Sequence, residues 1–185
     1  MAKILVLYHS LSDCTSEMAA LVAEGAKSTG DMDVRLVSVA EATAEDMLWC
    51  DGVAVGSPTH IGTVSWQLKK YFDQDLIDHW GKIDGKFGCA FSTSGGWGGG
   101  AELTCQTITN MLMNYGFLVF GVVDYVSRNH TLHYGAINAK APRESYAKKA
   151  SHRLGQRLAE WLAVYVDGKK ESHPLITRTE IVPAE

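Results

Sequence analysis

The sequence has no long apolar run. Ile4-Leu5-Val6-Leu7-Tyr8 stops at His9, too short for a signal-peptide core, and no stretch approaches the roughly 20 residues of a membrane helix. No CxxC pair occurs among Cys14, Cys50, Cys89 and Cys105, which argues against a zinc site or disulfide framework and for free thiols in a reducing compartment. No strong charge excess exists either. There are 17 Lys and Arg against 21 Asp and Glu, a net charge of −4, so nothing electrostatic points to nucleic acid. Both common nucleotide fingerprints are missing after the first apolar run. The segment Ser10–Thr15 holds no glycine, and no Lys or Arg falls between Lys3 and Lys27, which excludes a Walker A loop and a GxGxxG turn. The expectation is a soluble, cytoplasmic protein with no membrane insertion and no nucleic-acid partner.

What is present fits one domain. At roughly 100–200 residues per domain, 185 residues make one, and 46% hydrophobic content is enough to offset chain entropy. Ile4 to Tyr8 does not alternate, so both faces of that strand should be buried. Met18, Leu21, Val22, Gly25 and Ala26 then recur at helical spacing up to Gly30. Val34 to Val39 alternates, as an edge strand would. A short acidic segment, Glu41 to Asp46, leads to a third strand, Gly52 to Gly56. Ser65 to Asp73 reads as a helix and Lys86 to Phe91 as a fourth strand. Ile108, Met111, Leu112 and Tyr115 form another helical stripe, and Phe117 to Val123 a fifth strand. A polar segment runs from Asp124 to Pro142, and a long helix from Arg143 to Val166. Residues 1–168 form the domain, and 169–185 a polar tail that is either free or clasped to a neighbour. Strand and helix alternate five times, the pattern of a doubly wound parallel α/β sheet. Such sheets bind ligands beyond the carboxyl ends of their strands.

Three loops occupy those ends. The first, Ser10-Leu11-Ser12-Asp13-Cys14-Thr15, is rich in hydroxyls and opens a helix, whose free amides and dipole can hold a phosphate without a cation. Simple capping by Ser12 or Asp13 is the plainer alternative. The second, Gly56-Ser57-Pro58-Thr59-His60-Ile61-Gly62, can lay peptide edges along a flat ring or be an ordinary turn. The third, Ser92-Thr93-Ser94-Gly95-Gly96-Trp97-Gly98-Gly99-Gly100, carries five glycines in six positions. Structure alone explains one or two. Backbone approaching a ligand explains the rest, with Trp97 as a stacking surface.

Together these loops resemble the flavodoxin-like superfamily, whose FMN-phosphate loop Ser10-x-Ser12-Asp13-x-Thr15 matches. Within it the chain most resembles the tryptophan-repressor-binding-protein family of NAD(P)H:quinone oxidoreductases. That likeness rests on residues 1–8, on Gly56-x-Pro58-Thr59-x-x-Gly62, on Phe72-Asp73-Gln74, on the Gly-rich stretch from Ser92 and on Tyr134-Gly135-Ala136. It covers roughly residues 1–165. The family usually has Gly at the place of Asp13, an Arg-Phe pair at His60-Ile61, and a His where Tyr115 stands.

The resemblance implies a flavodoxin-like five-stranded parallel sheet in order 2-1-3-4-5 and a non-covalent FMN. Its phosphate would sit on Ser10, Ser12, Asp13, Cys14 and Thr15. Its ring would lie between Pro58, Thr59, His60, Ile61 and Gly62 on one side and Ser92, Thr93, Ser94, Gly95, Gly96, Trp97 and Gly98 on the other. It implies NAD(P)H as reductant, a quinone-like acceptor and a homodimer or homotetramer in which Trp80 reaches a neighbour's flavin. His133 and Tyr134 would line the substrate side. His60, Tyr115 and His133 are candidate proton donors or stacking groups. His130 and His133 form an HxxH pair without further ligands nearby, so no metal is expected. A one-electron carrier and a non-enzymatic interaction module are the alternatives.

Overall fold

The computed structural model describes residues 1–177. Strands β1 (Lys3–Tyr8), β2 (Asp33–Ser38), β3 (Gly52–Pro58), β4 (Phe87–Ser94) and β5 (Leu118–Val119) form a parallel sheet in the order β2-β1-β3-β4-β5. Helices α1 (Cys14–Lys27) and α5 (Ser145–Tyr165) cover one face, with Ile4, Val6, Ala54 and Phe91 beneath them. Helices α2 (Ala44–Trp49), α3 (Trp66–Lys70) and α4 (Ala101–Asn114) cover the other, over Leu5, Leu7, Val53 and Val55. Successive residues of β1 and β3 thus enter opposite cores, which is why those runs do not alternate. β2 is the edge strand and its residues are only half-buried or exposed.

Strand five departs from the expectation. Only Leu118 and Val119 pair with β4, opposite Phe87 and Gly88. The chain then leaves the sheet as an antiparallel hairpin, β6 (Val122–Ser127) and β7 (His130–Leu132), and returns as β8 (Ala136–Ala139) opposite Phe91–Ser94. The apolar run Phe117–Val123 therefore joins two elements. Val122 is buried with Leu132 in the α1/α5 core. The hairpin is fastened to α5 by Asp124, whose carboxylate accepts from Arg153 Nε at 2.5 Å and Arg157 at 3.1 Å. Glu160 closes the cluster from the other side of both guanidinium groups.

Three further elements differ from the sequence reading. α2 begins within the acidic segment, started by the Asp46 carboxylate accepting from the Thr43 N–H (3.0 Å) and hydroxyl (3.2 Å), a capping arrangement over four residues. The helix begun at Ser65 loosens into a π turn at Tyr71–Asp75, where the Leu76 N–H reaches the Tyr71 carbonyl. The start of the tail does not trail free. Residues 170–172 form a 3₁₀ turn and α6 (Pro174–Thr177) follows, with the His173 ring edge-on to Trp161 of α5 at 5.2 Å. The rest of the tail, 178–185, lies outside the described residues. Among the described residues no helix is long and apolar enough to cross a membrane.

Candidate functional site

The loop after β1 is held open by strain and by one hydroxyl. Asp13 caps α1 with φ 62°, in the left-handed region, and its side chain makes no capping bond. Glycine takes this conformation freely, and Asp is among the few other residues that tolerate it. The capping role falls instead to Ser10, whose Oγ accepts from the Ser16 N–H at 3.2 Å. Ser12 is exposed and its hydroxyl points to Cys14 Sγ at 3.5 Å. Thr15 is 1% exposed, and its Oγ1 lies 2.8 Å from Thr93 Oγ1, tying the first loop to the third. Among the described residues the amides of 11–15 donate to no protein acceptor. An open ring of N–H groups at the start of a 14-residue helix is an anion cradle.

The second loop is a tight turn. His60 and Thr63 exchange backbone bonds of 2.8 and 3.2 Å around Ile61 and Gly62, both at positive φ (48° and 82°). That pattern suits glycine at both central places, and a β-branched residue there is an outlier. Ile61 is also 103% exposed, so no protein packing holds it in that conformation. Thr59 is stitched inward: its N–H donates to the Thr93 carbonyl and its hydroxyl meets Thr104 Oγ1 at 2.9 Å.

In the third loop the side-chain hydroxyls serve the fold and the backbone faces out. Ser92 Oγ donates to the Ser57 carbonyl and Ser94 Oγ to that of Gly96. The glycines divide into two kinds. Gly98 and Gly100 have φ near +78° and +89°, and a Cβ on Gly99 would come within 2.8 Å of the Gly96 carbonyl. The fold therefore accounts for three glycines, more than the sequence suggested. Gly95 and Gly96 have neither a positive φ nor any atom within 4 Å of an added Cβ. With the amides of 95–98 also unpartnered among the described residues, this is backbone cleared for a ligand. Trp97 of the same loop is 57% exposed and lies beside His130 of β7, ring centroids 6.2 Å apart.

Cys14 and Trp97 border one open cleft of about 450 Å³, closed on the far side by Asn138, Lys140 and Arg143. The first and third loops therefore face the same space. Sequence order missed this wall. β8 brings Asn138 and Ala139 level with Thr93 and Ser94, and the split of strand five gave no local signal of it. Arg143 is a cation near the first loop, but it is bound at both nitrogens to Glu17 of α1, at 2.7 and 2.8 Å. An anion cradle beside a cleared backbone edge fits a phosphorylated planar cofactor such as FMN.

Pro58, Thr59, His60, Ile61 and Gly62 of the second loop do not line this cleft, and neither do Tyr115, Trp80, His133 and Tyr134. Tyr115 ends α4 at the amino end of β4, where Gly85 and Gly116 share a backbone bond. It is buried, its hydroxyl donates to the Phe72 carbonyl, and burial and then Asp73 raise its pKa. It is a core residue. Trp80 packs on Tyr115 at 4.9 Å, at the same end, 55% exposed. His133 and Tyr134 precede Ala136, which pairs with Phe91, three residues short of the carboxyl end at Ser94. At about 3.3 Å per residue they sit at least ~10 Å below the ligand loops, beside Gln106 and Asn110 of α4. Among the described residues no three His, Cys, Asp or Glu side chains converge as for a metal. Cys50, Cys89 and Cys105 are buried free thiols, their pKa values raised by burial, to about 12 at Cys50. His9, which sequence reasoning passed over, follows β1 with its ring 6.0 Å from that of His60, and burial, then His60, lowers its pKa.

Known proteins resemble this chain in sequence and in fold. The sequence signature of the family described as NADPH-dependent FMN reductase matches residues 37–131. A protein named Flavodoxin from Aquifex aeolicus (strain VF5) is 60% identical over 171 residues, 92% of each chain. A protein named NAD(P)H dehydrogenase (quinone) from Cupriavidus metallidurans is 35% identical over 143 residues, covering 66% of this chain and 71% of the relative. Among solved structures, a flavodoxin from the domain Archaea superposes with a TM-score of 0.67 at 25% identity, covering 86% of this chain and 98% of the other. A flavodoxin, WrbA-like protein from Agrobacterium tumefaciens gives 0.69 at 24% identity, covering 87% and 97%. This chain belongs to the FMN-binding, flavodoxin-like superfamily, within the NADPH-dependent FMN reductase family.

Proposed function

We propose that the protein is an FMN-dependent oxidoreductase that passes two electrons from NAD(P)H to a quinone-like acceptor. The reading rests on the second loop. It offers no Phe, Tyr or Trp to cover a bound flavin, only the smaller imidazole of His60, and its tip residue, Ile61, stands free in solvent. A flat partner can then reach the ring from that side. The balance is NAD(P)H, a proton and a quinone giving NAD(P)⁺ and a hydroquinone.

FMN supplies the redox chemistry when bound. The amides of 11–15, with the hydroxyls of Ser10 and Ser12, hold its phosphate. Thr15 positions that loop through Thr93, and with Thr93 as the donor of that bond the Thr15 proton is left for the anion. The amides of 95–98 are unpartnered donors at the cleared edge and would favour negative charge on a ring bound there. Trp97 bounds the cleft laterally. His60 is the second loop's candidate to hand a proton to the acceptor. Trp80, at the opposite end of its own sheet, is suited to a neighbouring copy's site, so the working form on this reading is a dimer or tetramer.

A one-electron carrier is the second reading, favoured by the 60% identity to a protein named Flavodoxin. Anaerobic mixing of the FMN-loaded protein with NADH or NADPH separates the two. The oxidoreductase reading expects full bleaching by one nucleotide equivalent and parallel steady-state lines at varied quinone. Failure of both nucleotides, with reduction only by a protein donor, would replace it with the carrier reading.

A further inference from the structure

A second cleft, of about 560 Å³, opens beside the carboxyl ends of β1 and β2, between Val39-Ala40 and α3. It shares no lining residue with the cleft between Cys14 and Trp97. Two of its lining residues, His9 and Gln67, each carry a buried polar atom, Nδ1 and Oε1, with no hydrogen-bond partner among the described residues. Leaving such atoms unpaired is costly, and both belong to residues of one cleft. Burial and the neighbouring His60 favour the neutral form of the His9 imidazole, so one ring nitrogen donates and the other accepts. A primary amide and a neutral imidazole complement the donor–acceptor edge of a heteroaromatic base or carboxamide. Around that pair, Trp66 shows an indole that is 67% exposed. Lys70 and Asp75, at the same cleft, form no ion pair among the described residues.

We propose that this cleft binds an adenine nucleotide, the adenosine half of the nicotinamide dinucleotide. The base edge pairs with Gln67 and His9, and the base face lies on Trp66. The phosphates meet Lys70, and the ribose hydroxyls donate to Asp75. The assignment to a nicotinamide dinucleotide rests on the oxidoreductase reading. The site itself rests on the two unpaired atoms. A ligand here is one ring away from the second loop, because His9 packs edge-on against His60. The dinucleotide would then lie with its adenosine on the β2 side of that loop and its nicotinamide on the flavin side.

The test is calorimetric titration of the FMN-loaded protein with ADP-ribose, which lacks the nicotinamide, and with adenosine. ADP-ribose should bind. Gln67→Met should weaken both ligands about tenfold, and Lys70→Ala should weaken ADP-ribose about tenfold while sparing adenosine. FMN retention should be unchanged in both variants, and Lys70, being exposed, carries little folding risk. No binding of ADP-ribose to the wild type, or equal binding by wild type and both variants, overturns the proposal. If NAD(P)H still reduces the flavin in that case, the oxidoreductase reading survives alone. ADP-ribose binding that depends on Gln67 and Lys70, without any reduction by nucleotide, keeps the site and removes that reading.

Discussion

Gly95 and Gly96 separate what the fold needs from what the ligand needs. Neither lies at positive φ, and neither would crowd a neighbour if it carried a methyl group. Replacing glycine by alanine at such a place narrows the unfolded ensemble and should stabilise the FMN-free protein by about 0.4–1 kcal/mol. In a chain of this size that raises Tm by about 1–4 °C. The same methyl would stand where a bound ring approaches the backbone. Forcing one extra carbon into a packed contact costs about 1–3 kcal/mol, a loss in FMN affinity of roughly 5- to 150-fold. Stability and affinity should therefore move in opposite directions in Gly95→Ala and Gly96→Ala. Gly98→Ala is the control. Its φ of +78° makes alanine cost about 1–2 kcal/mol, so its Tm should fall by about 2–8 °C. Thermal unfolding of the FMN-free protein and quenching of flavin fluorescence on titration read the two quantities. Alanine variants at 95 and 96 that melt higher yet bind FMN as tightly as the wild type would refute the idea that this backbone is cleared for the cofactor.

Four other outcomes are expected. Asp13→Gly should relieve the left-handed strain and remove a negative charge beside the phosphate cradle, raising both Tm and FMN affinity; a lower affinity would count against an anion there. Ser12→Ala should weaken FMN about tenfold and riboflavin hardly at all, whereas Thr15→Ala, which also loses the bond to Thr93, should lower the Tm of the FMN-free protein as well. Burial pushes the Asp124 carboxyl up, but Arg153 and Arg157 together outweigh it and hold its pKa below the usual value. Its contribution is then complete above the unfolded value of about 3.9 and disappears as pH falls through the lower folded value. Asp124→Asn should accordingly cost about 3 kcal/mol at neutral pH and nothing in acid, as urea titrations at several pH values would show. Trp80→Ala should reduce quinone turnover more than FMN retention, and a fully active monomer in sedimentation would exclude the shared site.

The parts of the fold set by local pattern were legible, and those set by vertical position were not. The unalternating runs of β1 and β3 announce burial on both faces, and the three ligand loops follow from where those strands end. Tyr115 and His133 show the limit. Each follows a recognisable element, but whether it sits at the top or bottom of the sheet depends on helix direction and strand register, which composition does not carry. The split fifth strand was hidden because Leu118-Val119 and Val122-Val123 read as one apolar run, although their partners are β4 and β7. The orphaned atoms of His9 and Gln67 depend on packing across the chain, so no spacing could reveal them.

The split strand also changes how one molecule meets another in a crowded solution. A strand on the margin of a sheet presents unpaired backbone groups, and a long straight one is a template on which other chains can grow. Here that margin is broken into Leu118–Val119 and Ala136–Ala139 with a twisted hairpin between them. Neither piece offers enough uninterrupted ladder to nucleate an intermolecular sheet. Rejoining the halves by deleting the hairpin would create one continuous outer strand, and with it a protein more prone to aggregate on refolding.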